Sequence, residues 1–335
     1  MNKLYQAVIH SNAVITAIGS YVPERILNNA DLEKLVDTNN EWIVQRTGIQ
    51  ERRIAAKDEF TSHLCIAAVQ NMIERFAVSV SDVDYILVAT SSPDAIFPSV
   101  ASQVQAHFNI QGCGASDLQA ACAGFAAAIQ LANGLLLSGS HRKILVIGAE
   151  TLSKITDYTD RTTCILFGDG AGAFLMEASD DGHGDIRSTY SKTDGARGHL
   201  LYRSSLAPAI GEHAMTNNGL IIQNGREVYR WAVSQVAEGI TQLLERSKLS
   251  VTDIDWFIPH SANMRIIEAL CERTGFSLDQ TLTSIKKFGN TSAASIPLAI
   301  DEAVKQGRIE PGQLMLLYGF GGGLTQAGVI LRWSL

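Results

Sequence analysis

Cys122 lies in the stretch DLQAACAGF (117–125), among alanines and a glycine. A thiol becomes a nucleophile as its thiolate, and the positive end of a helix favours that form. Small residues at a sharp strand-to-helix turn are what an exposed nucleophile requires. The plain alternative is packing, since free cysteines serve as small apolar core residues. Cys65, Cys113, Cys164 and Cys271 keep that reading. A thiol nucleophile also needs partners for proton and hydrogen-bond chemistry. His260 follows the apolar run WFIP (256–259) and precedes a helix opening at Asn263. Reactive groups of open α/β sheets collect at such strand ends. The alternative is a structural core histidine. His63, His141, His183, His199 and His213 sit in polar surroundings and are expected at the surface. Asn290, in KKFGNTSAASIPLAI (286–300), ends a loop before a helix of small residues. It is a candidate third partner or an ordinary helix cap. GFGGGLTQAG (319–328) offers either a tight turn or backbone N–H groups free to bind an oxyanion. A phosphate loop is the weaker reading, because no Lys-Ser/Thr follows. FGDGAGAF (167–174) reads as close packing at the entry to a strand.

The chain has 335 residues, 46% hydrophobic and 18% charged, with net charge −7. That composition suits a globular protein with a large core and argues against nucleic acid as the main partner. No apolar run reaches the length of a spanning helix, so no membrane partner is expected. The N-terminal stretch lacks a continuous apolar region and a cleavage site, which predicts no secretion signal. Five scattered cysteines without CxxC spacing predict free thiols in a reducing cytoplasm, without a disulfide framework or zinc site.

Apolar runs such as YILVATS (85–91), KILVIGA (143–149), WFIPHS (256–261) and LMLLYGF (314–320) alternate with helical patterns, predicting a layered α/β fold. The chain also repeats itself. VTDIDWFIP begins 171 positions after VSDVDYILV (Val80 to Val251), and six of the nine pairs are identical or close. The same offset sets KILVIG (from Lys143) on LMLLYG (from Leu314) and DLQAACAGF on FGNTSAASI (288–296). Three ordered matches at one offset predict a duplicated unit. The halves are expected at 1–180 and 181–335, with a polar, glycine-rich excursion over about 181–225. The helix AGFAAAIQLANGLLL (123–137) has only Gln130 and Asn133 as polar residues and is expected to be buried on all sides, against its counterpart near Thr291.

Taken together, several stretches resemble one family: TNNEWIVQRTGIQERRIA (38–55), AIFPSVASQVQ (95–105), ACAGF (121–125), TDRTTCILFGDGAGA (159–173), PHSANMRI (259–266), GNTSAASIP (289–297) and FGGGLT (320–325). The chain resembles β-ketoacyl-acyl-carrier-protein synthase III, a condensing enzyme with the thiolase-like fold. The resemblance implies a layered α-β-α-β-α architecture with two pseudo-repeated halves and central buried helices. It implies Cys122 as nucleophile, His260 and Asn290 as partners, and an oxyanion hole from the N–H groups of Cys122 and Gly322. The implied reaction is a decarboxylative Claisen condensation of a short acyl-CoA with malonyl-acyl carrier protein, without metal or cofactor. Trp42, Arg46, Arg161, Asn263 and Phe97 carry over as CoA and substrate contacts, with Arg161 opposite Trp42. Ser261, Ala262, Asn263, Met264, Arg265 and Arg230 carry over as the carrier-protein face, which Lys286 and Lys287 extend. Phe97 would reach across a homodimer interface to the partner's acyl pocket.

The chain departs from the family pattern in roughly ten extra N-terminal residues, in a longer 180–225 region and in Thr162, where glycine is usual. The longer form resembles the second synthase III paralogue of some bacteria. Leu152, Phe97 and the excursion are expected to reshape the acyl pocket, so acetyl is the default starter and branched or longer ones are alternatives. Three other readings make different demands on the chain. A Cys-His-Asn acyltransferase or hydrolase without condensation would lack CO2 release. A non-catalytic acyl-binding subunit would lose the cysteine. A nicotinamide enzyme would show G-x-G-x-x-G after the first strand, and this chain does not.

Overall fold

The computed structural model describes residues 11–335. The extra N-terminal residues, and the first part of the stretch examined for a secretion signal, lie outside that range.

Two sheets form the frame. The first contains β1 (Ala13–Tyr21), β2 (Tyr85–Ala89), β3 (Gly114–Leu118), β4 (Lys143–Thr151) and β5 (Asp169–Ala178), in the order β1-β5-β4-β2-β3. The second contains β6 (Ile186–Thr193), β7 (Trp256–Pro259), β8 (Leu314–Gly321) and β9 (Thr325–Arg332), in the order β6-β9-β8-β7. The orders match strand for strand, except that β3 has no full counterpart. Only an isolated bridge, Phe257 to Thr281, stands in its place.

The repeat offset is carried through to the backbone. β2 starts at Tyr85 and β7 at Trp256, and β4 starts at Lys143 and β8 at Leu314. The short 3-10 turns Ala121–Ala123 and Ser292–Ala294 occupy equivalent places. Each opens on a residue in the left-handed region, Ala121 at φ 45° and Ser292 at φ 48°. Each turn leads into a central helix.

Seven longer helices complete the layers: α1 (Asn40–Thr47), α2 (Thr61–Phe76), α3 (Val100–His107), α4 (Gly124–Leu137), α5 (Ala237–Ser247), α6 (Met264–Thr274) and α7 (Ser295–Lys305). Strand alternation assigns the faces. Leu87, Ala89, Ile144 and Val146 point inward, to a core shared with α4, α7 and the second sheet's Met315, Leu317 and Val329. Ile86, Val88, Leu145 and Ile147 point outward, onto α2 and α3. On the far side Phe257, Leu316, Tyr318 and Ile330 meet α5 and α6. The order is therefore α-β-α-β-α, the layered fold that the repeat and the resemblance predict.

Two expectations are corrected. The helix α4 is not buried all round, because Leu131 and Leu137 are each 48% exposed. Its two polar residues are satisfied internally. Gln130 donates to the carbonyls of Tyr190 and Gly328, and the Asn133 side chain accepts from Ser11. The stretch 181–225 is not all connection. Residues 186–193 are the edge strand β6, paired with β9, and Ile186, Ser188 and Tyr190 alternate inward along it. An edge strand with one solvated face has too few apolar residues to stand out in sequence. The glycines of FGDGAGAF do pack closely, as expected: a Cβ at Gly172 would meet Pro297 Cβ at 2.5 Å.

Candidate active site

The site forms where the two halves meet, at the carboxyl ends of their strands. Cys122 sits in the turn that links β3 to α4, and His260 follows the last residue of β7. The backbone N–H of His260 donates to Tyr318 O at 2.8 Å, which ties the residue to β8. Asn290 lies in a loop bridged to Phe167 of the other half. Its N–H donates to Leu166 O at 2.9 Å, and its carbonyl accepts from Gly168 at 3.0 Å.

All three side chains line one cavity of about 790 Å³, together with Trp42, Arg46, Asn263, Ala262, Arg265, Arg230 and Gly322. Its apolar wall includes Leu152, Ile155, Phe167 and Ile221, which form a buried cluster. Gly321 and Gly319 allow β8 to reach the nucleophile turn. A Cβ at Gly321 would sit 2.8 Å from Cys122 Cβ, and one at Gly319 2.9 Å from Cys122 O.

Position at a helix start predicts a thiolate, but the surroundings push the other way. Burial raises the Cys122 thiol to about 12, the Ser292 hydroxyl opposes the rise, and the charge of Glu150 adds to it. Desolvation outweighs the helix dipole here, so the resting group is a thiol.

Burial also lowers His260, to about 3, against a hydrogen bond with the Ser292 backbone. The ring is neutral at physiological pH. Its Nδ1 lies 2.7 Å from Ser295 Oγ, and Ser295 Oγ already accepts from the Ser261 N–H at 3.3 Å. The tautomer in which Ser295 donates to Nδ1 is the one that carries the ring proton on Nε2, facing away from that serine. Asn290 shows the cap-like contact expected of it. Its Oδ1 accepts from the Ser292 N–H at 2.9 Å, as a cap does, and this orients Nδ2 as a donor, 3.5 Å from Ala262 O.

Other predicted residues are placed differently. Asn263 lines the cavity but also caps α6, its side chain accepting from Arg265 N at 2.9 Å. Arg161 is outside the cavity lining and stacks directly on Trp42, its guanidinium 5.0 Å from the ring centroid; Arg46 lies 5.5 Å from the same ring. A ring inserted between Arg161 and Trp42 would need two contact spacings, about 7–8 Å. Arg161 must therefore swing aside before anything can insert.

Ser261 cannot face a docking protein, because it is fully buried and its hydroxyl accepts from Ser284 N at 3.0 Å. Met264 packs onto the outer core rather than the rim. Lys286 and Lys287 lie away from the cavity, and Lys287 pairs with Glu302. Phe97 is 84% exposed and Ile96 79%, and neither lines this chain's cavity. Arg203 and Arg226, which sequence reading passed over, do line it. They lie in the 194–226 region, where no repeat counterpart drew attention to them. Ser292, Ser295 and Glu150 were also missed. Their signal is burial and proximity, which residue type alone does not carry.

Two like halves that bring a cysteine, a histidine and an asparagine to one internal cavity place the protein in the thiolase-like class. Residues 116–195 match the model of 3-oxoacyl-[acyl-carrier-protein (ACP)] synthase III, and residues 244–333 match the model of its C-terminal part. The chain is 57% identical to β-ketoacyl-[acyl-carrier-protein] synthase III 2 of Halalkalibacterium halodurans, over 97% of this chain and 98% of that protein. It is 53% identical to the protein of the same name from Bacillus subtilis, over 97% and 100%. The crystal structure of β-ketoacyl-[acyl carrier protein] synthase III from Thermus thermophilus superposes with a TM-score of 0.92 at 44% identity, covering 96% of this chain and 99% of that one. The chain belongs to the 3-oxoacyl-[acyl-carrier-protein] synthase III family. Among the described residues no helix is long and apolar enough to cross a membrane.

Proposed function

We propose that this protein condenses a short acyl-CoA, acetyl-CoA by default, with malonyl-acyl carrier protein, giving 3-oxoacyl carrier protein, CoA and CO2 and so starting fatty acid synthesis. The observation that carries this reading is the meeting of Cys122, His260 and Asn290, from both halves, on one largely apolar cavity. The names and extents of the relatives support it.

Cys122 attacks the acyl-CoA thioester, and the tetrahedral oxyanion rests on the N–H groups of Cys122 and Gly322. CoA leaves and an acyl-thioester remains. Malonyl carrier protein then enters, and CO2 departs with its C–C bond electrons left as an enolate. His260 Nε2–H and Asn290 Nδ2 donate hydrogen bonds to the enolate oxygen. A neutral imidazole suits this task, because it must donate without first losing a charge. The enolate carbon attacks the acyl group and frees the Cys122 sulfur.

Trp42, Arg46 and Asn263 hold CoA along the mouth of the cavity, and Arg161 joins them once it leaves the Trp42 face. Exposed Arg265 and Arg230 at the same rim meet the acidic carrier protein beside Ala262. The exposed Ile96–Phe97 pair is an apolar projection that a second copy of the chain covers in a homodimer. Incubation with radiolabelled acetyl-CoA is expected to label Cys122, and malonyl carrier protein to release CO2 and discharge the label. No labelling with any short acyl-CoA would refute the proposal. Labelling without CO2 release would indicate a simple acyltransferase.

A further inference from the structure

Glu150 is the last but one residue of β4 and is fully buried. No cation pairs with it among the described residues. The donors on its carboxylate are neutral, among them the Ser91 N–H at 3.1 Å to both oxygens, Thr90 Oγ1 at 3.4 Å and Ser92 Oγ. A carboxyl buried without a countercharge is costly and is seldom kept for packing alone.

Between it and the nucleophile stands the turn of Ser292. The turn carrying Ser292 packs against both the Cys122 turn and β4, and the approach is tight: a Cβ at Gly148 would lie 2.4 Å from Ala293 O. The Ser292 hydroxyl is within hydrogen-bonding reach of the Cys122 thiol and of the Glu150 carboxylate. Its N–H is taken by Asn290 and its backbone meets the His260 ring. Ser292 therefore lies beside all three candidate catalytic residues, and its turn stands between the turn of the thiol and the strand of the buried acid. The left-handed backbone at φ 48° sets the side chain in that position.

We propose that Ser292 is a catalytic hydroxyl bridge and Glu150 its positioning residue, together forming a relay that holds the Cys122 proton during acyl transfer. This inference rests on the proposed condensing function. As the Cys122 sulfur bonds to the acyl carbon, its proton passes to Ser292 Oγ while the Ser292 proton passes to Glu150. The acyl-to-CoA sulfur bond breaks, and the reverse passage through Ser292, which lines the cavity, returns the proton to the CoA thiolate. No net charge enters or leaves.

The proton affinities support this route. Cys122 is held up near 12 and needs an acceptor, yet His260, near 3, is too weak a base. Burial raises Glu150 to about 7, against hydrogen bonds from Ser92, Ser292, Ser91 and Thr90. A group near the working pH both takes and returns a proton.

The test separates two half-reactions in Glu150→Gln, Glu150→Asp and Ser292→Ala. One is single-turnover labelling of Cys122 by acetyl-CoA, and the other is CO2 release from malonyl carrier protein, which needs no thiol ionisation. Alkylation of Cys122 by iodoacetamide, followed by mass spectrometry, reads thiolate supply without any substrate. Proton-transfer catalysis contributes about 10²–10⁴-fold, so Glu150→Gln and Ser292→Ala should slow labelling and alkylation by about 10²-fold. CO2 release should be kept, and Glu150→Asp should recover most of the labelling rate. Unchanged labelling and alkylation in both variants would overturn the relay, as would an equal fall in both half-reactions, the mark of a structural role. If the native protein is not labelled by any acyl-CoA, the condensing function fails, and iodoacetamide alone then decides the relay.

Discussion

The contact of Gly321 with the nucleophile turn yields a prediction whose size follows from distances. Gly321→Ala adds one methyl to β8. That carbon would lie 2.8 Å from Cys122 Cβ and 3.0 Å from both Cys122 N and Sγ. Carbon atoms settle at about 3.5–4.0 Å, so the turn or the strand must shift by roughly 0.7–1.2 Å. Neither can yield easily. The strand is paired to β9 through Gly321 and to β7 as far as Tyr318, and the turn leads directly into the central helix. Displacing a reacting group by about 1 Å costs about 10²-fold in rate. Overfilling a tight site also costs about 1–3 kcal/mol of stability. Single-turnover acylation of Cys122, with urea unfolding alongside, measures both. Gly134→Ala is the control: that helical glycine has nothing within 4 Å of its added Cβ, and the change should stabilise by about 0.5–1 kcal/mol with normal acylation. A folded Gly321→Ala protein that acylates within about threefold of the native rate would refute the steric argument.

Other outcomes follow from the same site. Glu150 is raised from 4.5 to about 7, so the folded protein binds a proton there that the unfolded chain gives up, and stability falls as pH rises from about 4.5 to 7. The loss is up to about 3 kcal/mol, and Glu150→Gln should remove it, seen as a native-minus-variant difference in urea unfolding between pH 5 and 8; parallel curves would refute it. His260 has the opposite sign: its folded value near 3 lies below the ordinary 6.5, so its contribution is complete above pH 6.5 and is lost as pH falls toward 3. CO2 release should therefore show no histidine limb between pH 5 and 7, and an inflection near 6.5 that His260→Gln abolishes would count against a neutral ring. Leu152→Ala opens the apolar wall and should move starter preference toward longer acyl-CoA, by about fourfold in kcat/KM per added methylene, in a competition assay. Trp42→Ala should raise the KM for acetyl-CoA about tenfold, equivalent to about 1.4 kcal/mol, and leave the KM for malonyl carrier protein unchanged.

Much of the architecture is legible in the chain because it was written twice. Chemically similar runs at a fixed offset of 171 mark β2 with β7, β4 with β8 and the Cys122 turn with the Ser292 turn. Strand β6 escaped because its pattern is that of a half-solvated edge. The residues Cys122, His260 and Asn290 were found for a related reason: each stands at a junction between apolar strand and small-residue helix, and junctions of that kind show in local composition. The functional weight of Ser292 does not show, since a serine beside an asparagine cap reads as helix entry. Nor does that of Glu150, which looks like any polar residue ending a strand.

The duplicated layers, and Cys122, His260 and Asn290 as candidates, were readable from sequence, because these rest on local pattern and on repetition. The charge states and the neighbours of these three residues follow instead from packing between distant segments. Burial, not position at a helix start, makes Cys122 a resting thiol. The close approach of two turns 171 residues apart sets Ser292 beside that thiol and a buried acid, and a separate contact lays Arg161 on Trp42 from a segment more than a hundred residues away. Desolvation and proximity depend on what the rest of the chain places nearby, and no local stretch of sequence contains that information.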